Sequence, residues 1–165
     1  MARLYEKNGV LETNHVSAVR TGDIKAQYPL ASGLTEVENG MLLVVDDVAK
    51  TVALPAAAGD AVYLHGSEER LYEEHLGRKS FVLKAPNFPR MYKLQEGDIF
   101  ETNAVTTELA NPKVLGKMGV PSTSGLIEIV EDSIDMDNYA VVLKVVEFIT
   151  LPNGTEGVKF YVAKA

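Results

Sequence analysis

Two long apolar runs close the chain. Val141, Val142, Leu143, Val145, Val146, Phe148 and Ile149 form the first, and Val158, Phe160, Tyr161 and Val162 the second. Pro152, Asn153 and Gly154 stand between them. β-Branched and aromatic runs flanking an Asn-Gly pair predict a β-hairpin, because Asn and Gly tolerate the positive φ that tight turns demand. The interruption spans residues 151–157, so the expected hairpin is long and has an irregular tip. Residues 141–146 are apolar on both faces apart from Lys144, the pattern of a strand covered on both sides.

Shorter runs precede it. Residues 24–28 alternate apolar and polar, as a half-buried strand does, and Pro29 ends them. Asn39 and Gly40 open residues 41–45, a continuous apolar run that predicts a buried strand. Further strands are expected at 51–54, stopped by Pro55, at 61–64, 81–84 and 99–102, around Met91, Tyr92 and Leu94, and at 126–130. Residues 104–125 are the least regular part; a loop of that length in a compact domain is usually functional or mobile. One helix is expected over residues 67–77. Ser67 is its N-cap, Glu68 and Glu69 lie in its first turn, and Gly77 stops it.

The expected fold is therefore mainly β: a compact β-barrel or β-sandwich with one short helix and a long C-terminal hairpin. Residues 1–19 mix charges and isolated apolar positions without a sustained period. They read as an N-terminal arm or loosely packed first strand ahead of a single β-rich domain at 20–165. Gly22-Asp23, Gly59-Asp60 and Gly97-Asp98 each precede an expected strand. Gly supplies a positive-φ turn position there, and Asp caps backbone N–H groups as the strand begins.

With 165 residues the chain fits one domain. It contains no cysteine, which excludes disulfides, thiolate metal sites and cysteine nucleophiles. The polar first residues do not resemble a signal peptide, and no apolar run approaches the roughly 18 residues of a membrane span. A cytoplasmic site of synthesis and no membrane partner are expected. The net charge of −7 argues against nucleic acid as the main partner, since phosphate binding needs a basic face. Much of the acidity sits in Glu128, Glu131, Asp132, Asp135 and Asp137.

Candidate chemistry is sparse. His65 and His75 flank the expected helix with Glu68, Glu69, Glu73 and Glu74, but their spacing does not suit a His-Glu-x-x-His metal site. Satisfied or exposed histidines are expected instead. Asp132, Asp135, Asp137 and Asn138 are rich in oxygen ligands yet lack the spacing of a calcium loop, and a solvated acidic turn is the expectation. Ser122 and Ser124 lack the Gly-x-Ser-x-Gly elbow and an identifiable base. No catalytic residue, metal ligand or cofactor site is assigned, and no cofactor is expected. In Arg3-Leu4-Tyr5, Leu4 and Tyr5 form an apolar-aromatic pair on a polar segment that gains by docking on a neighbour, which makes Arg3, Leu4 and Tyr5 the candidate partner-binding residues.

The order of these pieces carries a resemblance. A polar arm leads to residues 20–26, then to Val37 through Val45 with the stop at Leu54-Pro55, and later to residues 90–104, which contain Gly97-Asp98-Ile99-Phe100. Together they resemble the small β-rich head decoration, or cement, proteins of tailed bacteriophages, over residues 18–104. The resemblance implies a non-enzymatic structural protein of the virion. Such proteins bind the outside of a major capsid protein shell, as trimers or as monomers at symmetry-related sites, and brace it against internal DNA pressure. A homo-oligomer assembled in the host cytoplasm is implied, with repeated modest contacts giving avidity. The competing class is a small ligand-binding β-barrel, or an accessory enzyme subunit, using a pocket between the hairpin and loop 104–125.

Overall fold

In the computed structural model the described residues are 9–67, 81–106, 114–130 and 134–165. The first half holds β1 (Leu11–His15), α1 (Ser17–Thr21), β2 (Ile24–Lys25), β3 (Glu36–Val37), β4 (Leu42–Asp46), β5 (Thr51–Ala53) and β6 (Val62–His65). The second holds β7 (Leu83–Lys84), β8 (Met91–Tyr92), β9 (Ile99–Thr102), β10 (Met118–Pro121), β11 (Ile127–Val130), β12 (Val142–Thr150) and β13 (Glu156–Lys164), with a 3₁₀ turn at Met136–Asn138. The fold is mainly β, as expected, with the long β12–β13 hairpin at its end. Among the described residues no helix is long and apolar enough to cross a membrane.

Every strand pairing between these elements is antiparallel. A six-stranded sheet runs β1-β9-β13-β12-β10-β11, a five-stranded sheet runs β2-β8-β6-β4-β5, and β3 pairs with β7. The two larger sheets share one core. Leu42, Val62 and Leu64 from the five-stranded sheet meet Phe100, Ile127, Leu143, Phe160 and Val162 from the six-stranded one. The Phe100 and Phe160 rings pack at 5.8 Å between centroids, within the range where tilted aromatic pairs attract.

A second core lies on the opposite face of the five-stranded sheet. Leu43, Val52 and Met91 point there and are covered by Leu30, Val37, Leu83 and Leu126. Successive strand side chains face opposite ways, so Leu42 enters one core and Leu43 the other, and both are fully buried. The unbroken apolar run at 41–45 has this double coverage as its cause.

The hairpin behaves differently. Along its first run Val141, Val142 and Leu143 are buried in succession; Lys144 is exposed and Val145 buried, and Val146 is 46% exposed. The register of β12 against β13 slips between Val145 and Glu147, which leaves Val146 as an extra, unpaired residue. A bulge of this kind re-aims the side chain outward. The expectation of a strand covered on both faces over 141–146 thus holds only at its start. The tip is tighter than the 151–157 interruption suggests. The Leu151 N–H donates to the Thr155 carbonyl, the Gly154 N–H donates to the Leu151 carbonyl, and Asn153 Oδ1 accepts from the Thr155 N–H.

The N-terminal stretch gains detail, and two expectations need amending. Residues 11–19, within the stretch read as an arm or loosely packed first strand, form β1 against β9 and then α1, with Val16 and Ala18 buried. The irregular 104–125 stretch contains β10, a strand bonded to both β11 and β12. The Gly-Asp marks also act differently from one another. Gly22 and Gly97 have positive φ but Gly59 does not, and the Asp60 and Asp98 carboxylates accept N–H groups of preceding turns, not of the strands. Buried Asp98 also accepts from the backbone N–H and the hydroxyl of Ser17, closing the start of α1. The expected helix at 67–77 lies outside the described residues, apart from Ser67.

Gly40 joins the two sheets. Its φ is +85°, and a Cβ there would fall 1.9 Å from Thr102 Oγ1, whose residue is fully buried and whose hydroxyl already accepts the Ala104 N–H. Gly40→Ala is expected to destabilise by about 2–5 kcal/mol, from a left-handed backbone plus overpacking. Gly154→Ala, also at positive φ but with nothing within 4 Å, is expected to cost only about 1 kcal/mol. Urea midpoints of the two variants at equal m-value check this; equal losses would refute the steric account.

Candidate functional site

The five-stranded sheet delivers His65 to a polar junction at the end of its central strand. His65 ends β6 with its ring fully buried. The backbone around it is closed: the Gly40 N–H donates to the His65 carbonyl, the His65 N–H to Met41, and the Gly66 N–H to Arg90. Ring Nδ1 lies 2.8 Å from the Glu38 carbonyl and Nε2 lies 2.9 Å from Ser67 Oγ. A carbonyl can only accept, so Nδ1 carries the proton and Nε2 accepts from the Ser67 hydroxyl. Ser67 Oγ accepts in turn from the Arg90 N–H at 2.8 Å, and the Ser67 N–H donates to Asn39 Oδ1.

This Ser-His contact has the geometry of a nucleophile beside a base, but its electrostatics oppose that role. Burial pulls the His65 pKa down to about 4, outweighing the Glu38 carbonyl that favours the charged ring. A base that weak takes up a serine proton poorly near neutral pH. The ring fits a structural part, a buried polar side chain with both nitrogens satisfied. That agrees with the expectation of a satisfied histidine. His75 lies outside the described residues, and His15 is exposed at the end of β1.

Beside this junction opens a cleft of about 670 Å³. Gly66 and Ser67 line one side, and residues 81–84 with Asn87, Phe88, Arg90 and Tyr92 line the rest. A Cβ at Gly66 would meet the Tyr92 ring at 2.8 Å, so the missing side chain lets that ring lie against the backbone. Part of loop 104–125, beside which the alternative pocket is expected, is built into the core where the structure describes it. Ala104, Val105, Thr106, Ser122 and Leu126 are all buried there, and Val105 bridges to Ile127.

The second surface of interest is the outer face of the six-stranded sheet. Registers place His15, Ile99, Tyr161, Lys144, Met118 and Val130 side by side, one from each strand. Five inter-strand steps make this row about 24 Å long. Tyr161 is 40% exposed, and bulged Val146 stands out on the neighbouring strand. A charged row runs alongside, in which Glu12 faces Glu101, Glu101 faces Lys159 and Lys159 faces Glu147. Lys159 Nζ lies 3.0 Å from Glu101 and 3.4 Å from Glu147, and these bonds, Glu101 first, hold its pKa above the usual lysine value.

The other sequence candidates are placed as follows. Arg3, Leu4 and Tyr5 lie outside the described residues, as do Glu131 and Asp132. Asp135 caps the 3₁₀ turn, accepting from the Asp137 N–H and from Asn138 Nδ2. No group of three or more metal-ligating side chains occurs among the described residues. Ser122 and Ser124 bond to each other at 2.7 Å in the β10–β11 turn. The outer row escaped sequence reasoning because it exists only through strand order. The His65 junction had one signal, Asn39-Gly40 and His65 each beside an apolar run, but nothing in the sequence joins them. No family model matches the chain, and no curated protein or solved structure is significantly similar to it.

The buried ring makes stability depend on pH. Its folded pKa lies below the ordinary 6.5, so the unfolded chain takes up a proton that the folded one refuses. The stabilisation is complete above pH 6.5 and is lost as pH falls toward 4. Between pH 7 and pH 5 the loss is expected to be about 2 kcal/mol. Urea unfolding at the two pH values measures it. His65→Gln is expected to remove most of this difference while lowering stability at pH 7; an unchanged difference in the variant would refute the assignment.

Proposed function

We propose that the protein is a non-enzymatic structural component of a tailed-phage virion that binds the outer surface of the major capsid protein shell and stabilises the head. The observation that carries this reading is the outer face of the six-stranded sheet, uncovered among the described residues, where Ile99, Tyr161, Met118, Val130 and the bulged Val146 stand among lysines and glutamates, beside a five-stranded sheet covered on both sides. Apolar surface left flat and open on a well-packed scaffold marks an interaction face. The resemblance to decoration proteins supports the same reading. Its residues, 18–104, supply all five strands of the doubly covered sheet.

Size favours a repeated contact over a solitary one. A face about 24 Å across and five residues deep offers roughly 400 Å², about half of one side of a standard protein interface. One such contact is weak, and many copies at symmetry-related positions, or a homo-oligomer presenting several faces at once, gain avidity without a specialised pocket. Arg3, Leu4 and Tyr5 are proposed as a second contact. No cofactor, nucleic acid or membrane enters this function.

Co-sedimentation with purified heads of the encoding phage, read as copies bound per shell, tests the proposal. The wild-type chain is expected to saturate at a number set by the shell's symmetry. Val146→Asp with Tyr161→Asp is expected to cut binding at least tenfold at an unchanged circular dichroism spectrum, and deletion of residues 1–7 to weaken it further. Absence of wild-type binding to those heads would overturn the reading.

A further inference from the structure

The cleft beside Ser67 has a chemistry of its own. Its rim carries two cations, Lys84 and Arg90, both exposed, together with the amide of Asn87. Its apolar lining includes Phe81, Phe88 and Tyr92, and Phe88 is 55% exposed. No carboxylate lines the cleft among the described residues, although the chain as a whole has a net charge of −7. Glu36 stands opposite Lys84 in the β3–β7 register, yet neither Lys84 nor Arg90 has an ion-pair partner among the described residues.

The cationic rim is held in place. The Arg90 guanidinium sits 5.7 Å from the centre of the Tyr92 ring, a cation–π distance, and the half-buried ring is wedged against Gly66. The Arg90 backbone is fixed at both ends, its N–H on Ser67 Oγ and its carbonyl on the Gly66 N–H. A side chain positioned this way loses little further freedom when it meets a ligand. A guanidinium also pairs with a planar carboxylate through two parallel hydrogen bonds.

From this geometry we infer that the cleft between Ser67 and Tyr92 is a docking site for an acidic peptide segment of a partner protein, its carboxylates on Arg90 and Lys84 and an apolar side chain against Phe81 and Phe88. Charge complementarity selects this occupant. A basic segment would leave both rim cations repelled, and a purely apolar one would desolvate them without a partner. The inference does not depend on the capsid reading, since it concerns a different face and a different sheet.

The test uses the full chain and a fluorescein-labelled, capped decapeptide in which glutamate alternates with leucine and phenylalanine. Anisotropy is expected to show saturable binding that weakens at least tenfold in Lys84→Glu with Arg90→Glu, and severalfold as salt rises from 50 to about 300 mM, where screening shortens the reach of exposed charges. Phe88→Ser is expected to weaken binding without altering that salt dependence. Both variants change exposed side chains, and an unchanged melting temperature verifies that they fold. Equal binding of the same peptide with lysine in place of glutamate would overturn the inference, as would full binding by the double variant or no binding at all. Binding that emerges only after Glu68, Glu69, Glu73 and Glu74 are replaced by Gln would also overturn it, because the occupant would then be the chain's own acidic stretch.

Discussion

The central constraint of this fold is that β4 is buried on both of its faces. Leu42 and Leu43 are adjacent in sequence and both inaccessible, so apolar layers must exist above and below the five-stranded sheet at once. The six-stranded sheet supplies one layer, and the β3–β7 pair with Leu30 and Leu126 supplies the other. Burying a leucine contributes about 1.5–3 kcal/mol, so the two together are a large part of the 5–15 kcal/mol that separates a folded domain from its unfolded chain.

A strand covered on both sides must also have its backbone and nearby polar groups satisfied without water. That demand accounts for the polar junction at the end of the sheet's central strand. Asn39, Gly40, His65, Ser67 and Arg90 bond to one another through backbone and side chain, and the ring stays neutral because a charged imidazole there would lack both solvent and a counter-charge. Asp98 does the same work at the other sheet, tying α1 and the turn at Gln95 to the start of β9. Both are groups of the kind found in active sites, used here to close a core. The surfaces left over are the open face of the six-stranded sheet and the cation-rimmed cleft. One mixes apolar side chains with charges of both signs and the other is positively charged, so the two differ in the partners they fit.

Much of the architecture was legible in the residues themselves. The closing hairpin, the buried run at 41–45, the strand at 99–102 and the mainly β class follow from period-two patterning and turn chemistry, which act over a few residues and leave their mark there. Where the reading failed, a long-range contact had overridden the local signal. β10 contains Gly119 and Pro121, residues that argue against a strand, yet a Cβ at Gly119 would meet the Phe160 ring at 3.1 Å, so the glycine is there to admit that ring. β1 has only weak alternation of its own and is a strand because β9 offers it an edge. Val146 belongs to an apolar run by sequence and is turned to solvent by a bulge that exists only in the pairing of β12 with β13.

The sequence by itself therefore determined the class of fold, the hairpin, most strand positions, and the negative charge that disfavours a polyanionic partner. Only the tertiary structure decided which strands are neighbours, which face of each sheet is covered, and which side chains meet. His15 and Val130 share one row, and Ser67 and Arg90 share one hydrogen bond, although 115 and 23 positions separate them in the chain. Periodicity records which way a side chain points relative to its own strand. It carries no record of what stands opposite, because pairing is settled by the whole core closing at once.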